Sequence, residues 1–179
     1  ISILMPILLD FIKLMNEKYN DITYVFHSTI EYSQLMQSFV KESNLSNCEI
    51  VSDDKIKSHI LQKSVFAVAK SGTVSLEICN AKIPSIILYK MGFINFLIVK
   101  SLVKTKYANI INFAADEEVI PELLQSSCNS KNIFKYVDSF LDNPNKIKEQ
   151  VEKVQTVLNK LKTKKSSSEL ASLSLNKFL

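Results

Sequence analysis

Short apolar runs alternate with amphipathic segments along the first half of the chain. Apolar positions from residue 3 to residue 15 form a helical stripe, and strands and helices are then predicted in turn. The predicted strands are 22–26, 49–51, 65–69 and 85–89, and the helices between them are 30–42, 55–63 and 74–82. This alternation with short connections is typical of a doubly wound α/β fold, in which helices cover both faces of a parallel sheet. We therefore expect an α/β protein.

The second half of the chain is less regular. Residues 110–113 predict a strand that leads into a loop, and Pro121 predicts a first helical turn, where proline is favoured. The predicted helices here are 122–125, 132–141, 146–161 and 169–179. Residues 162–168 (KTKKSSS) predict a polar linker. We therefore expect a domain over 1–161, followed by a linker and a C-terminal helix over 162–179.

Residues 93–103 (FINFLIVKSLV) are apolar almost all round, and Lys104 and Lys106 follow them. A run of about eleven residues is far shorter than the roughly 20 that a bilayer span needs. Two interpretations stay open. The segment is either a helix packed inside the protein or a helix in the membrane interface, with its lysines near lipid phosphates.

The most informative turn follows the predicted strand 65–69. It consists of Ser71, Gly72 and Thr73, and Gly72 is one of only two glycines in the chain. A residue without Cβ lets the chain turn and lets a ligand approach the backbone. The hydroxyls can cap the next helix, whose free N–H groups and positive dipole end favour an anion. The turn therefore predicts a phosphate site. A second turn begins at His27, and it should line the same crevice because it also follows a strand. The alternative is that the His27 imidazole only forms a hydrogen bond with a loop backbone.

Glu77 lies one turn into the predicted helix. A capping box needs a carboxylate three residues after the capping Ser or Thr, but Val74 and Leu76 occupy those positions. Glu77 instead follows Thr73 by one turn on the same face, where it can accept hydrogen bonds from a sugar diol. A plain solvated glutamate is the alternative. Lys70 can add positive charge at the phosphates, with a solvated strand-end lysine as its alternative.

The amino-acid composition limits the classes of function that this chain can have. The chain has 179 residues, 46% of them hydrophobic and 22% charged, which is enough for one well-cored domain. Its formal charge is +4, but all 22 basic residues are lysine. The lack of arginine argues against nucleic-acid binding, because bidentate contacts to guanine and phosphate favour arginine. Three widely spaced cysteines indicate a reducing, cytoplasmic compartment, and the two histidines lack neighbours at metal-ligand spacing.

An ordered series of motifs resembles the carboxyl-terminal half of the lipid-A-disaccharide synthases, GT-B glycosyltransferases of the bacterial outer-membrane pathway. The series is Ser71-Gly72-Thr73 with Leu76-Glu77, Pro84 before an apolar strand that ends in Tyr89-Lys90, Leu102-Val103-Lys104 with Tyr107, Asn112, and Pro121-Glu122-Leu123-Leu124-Gln125. Other sugar-nucleotide enzymes share the first two motifs, but the ordered series is more specific and covers residues 1–160. The resemblance implies a Rossmann-like sheet that forms the C-terminal half of a GT-B fold.

The resemblance also implies an activity. The family transfers 2,3-diacylglucosamine from UDP-2,3-diacylglucosamine to 2,3-diacylglucosamine 1-phosphate, with inversion and without metal or cofactor, in lipid A and lipopolysaccharide biosynthesis. This half would bind the UDP donor, and the amino-terminal half would supply most of the acceptor surface and the catalytic general base. In the family a strand and a Pro-Gly-Ser-Arg loop come just before this half. Since the sequence lacks them, we expect a domain truncated at its N-terminus and inactive alone.

The resemblance adds Asn112, Glu122 and Gln125 to the site as sugar or phosphate contacts. The full set of predicted donor-site residues is Lys70, Ser71, Gly72, Thr73, Glu77, Asn112, Glu122 and Gln125. We expect a cytoplasmic protein, and contact with the cytoplasmic face of the inner membrane stays open. A composition rich in Lys, Ile and Asn suggests a host-restricted bacterium with an AT-rich genome. Two alternatives stay open: another UDP-sugar enzyme of GT-B type, such as an epimerase, and a non-catalytic peripheral membrane remnant.

Overall fold

The computed structural model describes residues 1–92, 96, 105–162 and 172. Its helices are α1 Leu4–Lys18, α2 Ile30–Ser43, α3 Asp54–Lys63, α4 Val74–Asn80, α5 Ile110–Ala115, α6 Ser130–Leu141 and α7 Pro144–Leu161. Its strands are β1 Tyr24–His27, β2 Cys48–Val51, β3 Ala67–Lys70, β4 Ser85–Tyr89 and β5 Glu122–Leu124, and a 3₁₀ turn over Gln125–Ser127 follows β5. The predicted apolar helix 93–103, apart from residue 96, and the linker and helix beyond residue 162, apart from residue 172, lie outside the described residues.

The paired strands run parallel in two groups. β1 pairs with β2, and Tyr24 lies opposite Cys48. β3, β4 and β5 form a second sheet in that order, with Ala67 opposite Ser85 and Ile87 opposite Glu122. Parallel strands that alternate with helices along the chain confirm the predicted α/β class.

β4 is the most buried strand, because it has a neighbour on each side and helices on both faces. Ile86 and Leu88 belong to the core that α1 and α6 form, whereas Ile87 belongs to the core that α4 and α7 form. Successive side chains of a strand point to opposite faces of the sheet. Helices therefore cover both faces of this sheet, as in a doubly wound fold, and each buried aliphatic side chain stabilises it by about 1.5–3 kcal/mol.

A buried glutamine on α7 fixes the start of β4. The Oε1 atom of Gln150 accepts a hydrogen bond from the N–H of Ser85 at 2.8 Å, and its Nε2 donates to the carbonyl of Ser85 at 3.0 Å. The side-chain amide thus makes the two hydrogen bonds with Ser85 that a neighbouring backbone amide would make. It couples the position of α7 to the centre of the sheet.

Charged and polar side chains tie α1 to α6. The Nζ atom of Lys18 lies 2.7 Å from Asp138 and 2.8 Å from Asp142, and the hydroxyl of Tyr19 donates to Asp138 at 2.9 Å. The hydrogen bond to Asp138 raises the pKa of Lys18, and the hydrogen bond from Lys18 lowers the pKa of Asp142. Such exposed pairs contribute little net stability. They join the C-terminal end of α1 to the C-terminal end of α6.

Two local predictions are wrong. Residues 110–113, predicted as a strand, form α5, because the Oδ1 atom of Asn109 caps this helix by accepting a hydrogen bond from the N–H of Ile111 at 2.8 Å. Residues 122–125, predicted as a helix, form β5 and the start of the 3₁₀ turn, because they pair with β4. Pro121 therefore precedes a strand, where its missing N–H does no harm.

Candidate functional site

The turn after β3 is held by backbone geometry. Gly72 has a φ of +154°, which L-residues rarely adopt, and a Cβ built on it would meet no atom within 4 Å. The backbone torsion, and not crowding, therefore requires glycine here. The N–H of Ser71 donates to the carbonyl of Leu88 at 3.2 Å, and its Oγ donates to the carbonyl of Ala108 at 2.7 Å. These bonds attach the turn to β4 and to the segment before α5.

The first turn of α4 is stabilised differently from the prediction. Thr73 has helical torsions, φ −60° and ψ −30°, and its side chain makes no capping bond. A capping residue needs extended torsions to reach the free N–H groups. The hydroxyl of Ser71 bonds to Ala108 instead, and Ser75 Oγ donates to the carbonyl of Gly72 at 2.6 Å. The predicted capping by Ser71 and Thr73 is therefore wrong, and the side chain of Thr73 is exposed.

Two polar contacts of α3 connect the end of β1 to α4, the helix that follows β3. Glu77 on α4 lies 2.5 Å from the Nζ atom of Lys57, and Asp54, one turn earlier in α3, lies 3.4 Å from Nε2 of His27. Because both contacts are made by the first turn of α3, the carboxyl ends of β1 and β3 lie at the same edge of the domain. The side chain of Lys57 is 19% exposed and that of Glu77 is 46% exposed. Sequence reasoning missed Lys57, and its place in the first turn of a predicted helix was the only available signal.

Asn112 is buried completely and satisfies backbone groups around it. Its Nδ2 donates to the carbonyl of Ile120 at 2.7 Å and to Glu122 Oε1 at 2.8 Å. Its Oδ1 accepts from the N–H groups of Val119 and Ile120 at 2.9 and 2.8 Å. The amide therefore shapes the loop between α5 and β5.

Glu122 extends this network to the turn after β3. Its carboxylate accepts hydrogen bonds from the N–H groups of Ala108 at 2.8 Å and Asn109 at 2.9 Å, and the carbonyl of Ala108 is the acceptor for Ser71. Three predicted site residues, Ser71, Asn112 and Glu122, are thus joined in one network. Their direct contact with a ligand stays a prediction.

The other predicted site residues lie around this network. The side-chain amide of Gln125 accepts from the N–H of Met91 at 2.8 Å and donates to its carbonyl at 3.3 Å, so it fixes the chain just after β4. Lys70 ends β3 with an exposed side chain. The arrangement offers polar groups and the exposed side chain of Lys70 at the carboxyl ends of β3 and β4, together with the Lys57–Glu77 pair.

In the described ranges, no group of three or more His, Cys, Asp or Glu side chains is placed to hold a metal ion. No helix in the same ranges is long and apolar enough to cross a membrane. Cys48, Cys79 and Cys128 are free thiols, and burial raises the pKa of Cys79 to about 11, so this thiol stays protonated at neutral pH.

Comparison with known proteins decides the family. A family model described as lipid-A-disaccharide synthetase matches residues 1–175. The chain belongs to this family. The lipid-A-disaccharide synthase of Rickettsia prowazekii (strain Madrid E) is 32% identical over 158 residues, which cover 88% of this chain and 41% of that protein. The synthase of Sulfurihydrogenibium sp. (strain YO3AOP1) is 30% identical over 180 residues, covering 96% and 46%. That of Rickettsia conorii (strain ATCC VR-613 / Malish 7) is 41% identical over 106 residues, covering 59% and 24%.

Membership of the lipid-A-disaccharide synthetase family confirms the resemblance carried by the motif series. The chain spans less than half the length of these three relatives. In the structure the Ser71 to Thr73 motif forms the turn after β3, and Glu77 lies on the helix that follows it. Tyr89 and Lys90 mark the end of β4, where Lys90 Nζ donates to the carbonyl of Cys128 at 3.0 Å.

Proposed function

We propose that this chain is the donor-binding part of a lipid-A-disaccharide synthase, with residues 1–161 as the UDP-sugar domain. The reaction is transfer of 2,3-diacylglucosamine from UDP-2,3-diacylglucosamine to 2,3-diacylglucosamine 1-phosphate. The family match over residues 1–175 carries the proposal. The parallel α/β architecture supports it, because ligands of such sheets bind beyond the carboxyl ends of the strands.

The diphosphate is proposed to lie against the turn of Ser71, Gly72 and Thr73. The open space beside Gly72 supports this, since a ligand could approach its backbone without displacing a side chain. The hydroxyl of Ser71 already bonds to Ala108, so Ser71 would contribute mainly its position in the turn. Lys70 would add positive charge from the end of β3, where its side chain is exposed.

The ribose is proposed to bind Glu77. A carboxylate has two oxygens and about four acceptor positions, so the contact between Lys57 and Oε2 leaves room for hydroxyl donors. Lys57 would then hold the carboxylate in place while the ribose binds. Asn112, Glu122 and Gln125 stay in the proposed site, where their hydrogen bonds hold the segments at Ala108 and Met91 beside the donor.

The proposed chemistry divides between two parts of the enzyme. In the transfer, the bond from the anomeric carbon to the diphosphate oxygen breaks, UDP leaves with the electron pair, and the acceptor hydroxyl attacks and loses its proton to a base. The residues of this chain would stabilise the leaving diphosphate by polar contacts. The base and the acceptor surface would come from the remaining length of the protein. The enzyme would work in the cytoplasm, at the inner membrane where its acylated substrates gather.

Neither alternative function is favoured. An epimerase or another UDP-sugar enzyme would leave the names of the relatives unexplained, because all three are lipid-A-disaccharide synthases. A non-catalytic remnant that only contacts membranes is not favoured either, because the family match extends over residues 1–175.

Turnover tests the proposal. We expect the 179-residue chain alone to form no disaccharide from the two substrates, since a missing general base costs about two to four orders of magnitude in rate. Adding the part of the Rickettsia prowazekii synthase that this chain does not match should give measurable product. That part without this chain is the control. Product from this chain alone would show that the base is present in it, and failure to bind UDP would refute the donor role.

A further inference from the structure

Helix α5 buries a polar residue and exposes apolar ones. Asn112 is completely buried, whereas Phe113 is 61% exposed and Ile110 is 49% exposed. Folding alone favours the opposite arrangement, because an aromatic ring gains stability when it is removed from water. Phe113 and the exposed Ala114 follow Ile110 by three and four residues, so the three side chains share one face of the helix. They form the α5 apolar face.

The α5 apolar face begins beside the turn that is proposed to hold the diphosphate. The hydroxyl of Ser71 donates to the carbonyl of Ala108 at 2.7 Å, which attaches this turn to the segment that leads into α5. Ile110 follows Ala108 by two residues, a chain length of at most about 7 Å. Phe113 lies three residues later, about 4.5 Å further along the helix axis. A group attached to the sugar of a bound donor can therefore reach this face.

A groove between α5 and α7 continues the α5 apolar face. The groove has a volume of about 320 Å³, near the lower limit of the roughly 300–1,000 Å³ that is typical of ligand pockets. Its small or uncharged lining residues are Ala114, Ala115, Thr156 and Val157. Charged side chains line the rest, and two of them neutralise each other, since Lys153 Nζ lies 3.3 Å from Glu149. Because Ala114 belongs to both surfaces, an extended apolar chain can pass from Phe113 into the groove.

The charges around α5 favour a neutral chain over a membrane surface. Asp116, Glu117 and Glu118 follow the helix with exposed side chains, whereas the exposed Lys106 precedes it. Anionic lipid headgroups attract clusters of lysine and arginine, and carboxylates repel them. A fatty acyl chain carries no charge, so these carboxylates do not oppose its binding.

We propose that the α5 apolar face and the groove beside it bind one acyl chain of the donor, UDP-2,3-diacylglucosamine. This inference rests on the proposed donor role, because the diphosphate and the sugar bring the acyl chain to the face. Ile110 and Phe113 are then specificity-determining residues, since they contact the part of the donor that UDP lacks. The acyl chain removes both side chains from water, and this apolar burial favours binding.

A comparison of acylated and non-acylated donors tests the acyl site. Calorimetry on the 179-residue chain measures UDP-2,3-diacylglucosamine, kept below the concentration at which it forms micelles, and UDP-glucosamine, which has no acyl chain. We expect Phe113→Gln to weaken the binding of the acylated donor at least about tenfold, or about 1.4 kcal/mol, and to change that of UDP-glucosamine less than about twofold. Ile110→Gln is a second, independent variant and should act in the same direction. Glutamine removes the apolar surface but keeps a high helix propensity.

Val65→Gln is the matched control. Val65 is 67% exposed, but it precedes β3, at the opposite end of that strand from the Ser71 turn. Its replacement should leave the binding of both donors unchanged, which excludes a general effect of surface hydrophobicity.

The failure of the acyl site and the failure of the donor role give different results. If the unchanged chain bound UDP-glucosamine, but Phe113→Gln and Ile110→Gln weakened the binding of both donors equally or of neither, the acyl site would be refuted and the donor role would stand. If the unchanged chain bound neither donor, the donor role would fail and the acyl site with it. If Phe113→Gln left the binding of the acylated donor unchanged but dissociated a dimer in sedimentation, or released the chain from anionic phospholipid vesicles, a second copy or a membrane would cover this face, and the proposal would be overturned.

Discussion

Replacing Asn112 by alanine should destabilise the domain strongly. The change removes four hydrogen bonds at a completely buried position. The N–H groups of Val119 and Ile120 and the carbonyl of Ile120 then lose their side-chain partner. An unsatisfied buried polar group costs about 1–3 kcal/mol, so three of them add up to roughly 3–9 kcal/mol before relaxation. Because single substitutions rarely exceed about 4–5 kcal/mol, we expect a loss of about 3–5 kcal/mol in the free energy of unfolding.

Urea unfolding followed by circular dichroism measures this loss. With a slope of about 2 kcal/mol per molar, the midpoint should fall by roughly 2 M. Asn80→Ala is the matched control, because Asn80 is an exposed amide at the end of α4 and its loss should change stability by less than about 0.5 kcal/mol. UDP titration of the folded variant at low temperature completes the comparison.

One result would refute the reasoning. If Asn112→Ala unfolded within about 1 kcal/mol of the unchanged chain but no longer bound UDP, the amide would act on the ligand and not on the loop. If stability and UDP binding fell together, and binding returned when the variant was stabilised by an osmolyte, Asn112 would be a positioning residue.

Three further outcomes are expected. UDP should bind in the presence of a chelator, as calorimetry can show, and heat that appears only with magnesium or manganese would contradict metal-free binding. Glu77→Gln should weaken the binding of UDP by about 1.5–3 kcal/mol more than it weakens the binding of free diphosphate. Lys57→Met should change the affinity for UDP by less than about 1 kcal/mol. If Glu77→Gln weakened the binding of both ligands equally, Glu77 would not belong to the ribose site. Burial raises the pKa of Cys79 in the folded protein to about 11. The unfolded state therefore loses the thiol proton at a lower pH than the folded state does, and the free energy of unfolding should fall as pH rises from about 9 to 11. Urea midpoints across that range should show a smaller fall in Cys79→Ala, and an unchanged fall would assign the effect to other groups.

The sequence predicted best those elements whose signal is local. β4 was predicted with its observed limits, 85–89, because the apolar run 86–89 lies just after Pro84 and Ser85. The strand at Tyr24–His27 was predicted two residues too early at its start, since Ile22 and Thr23 are as suited to a strand as the residues that pair. β5 was missed because three residues carry too little pattern, and only their pairing with β4 decides their conformation.

The candidate site was predicted by position more than by role. The turn around Gly72 was located because a glycine between a strand and a helix is a local signal. The partners of Asn112 and the ion pair between Lys57 and Glu77 depend on contacts between distant segments. Asn109 carries a local signal for the start of α5, since an asparagine ahead of an apolar run is a common helix cap.

The contact between α1 and α6 has a consequence for synthesis on the ribosome. Lys18 and Asp138 are 120 residues apart in the sequence. At a synthesis rate of about 5–20 residues per second, α6 is therefore made roughly 6–24 s after α1. During that time its apolar face, with Phe11 and Met15, has no α6 to cover it. The nascent chain must therefore leave the part of α1 that packs on α6 uncovered until α6 emerges, and this interval is when chaperones would be needed most.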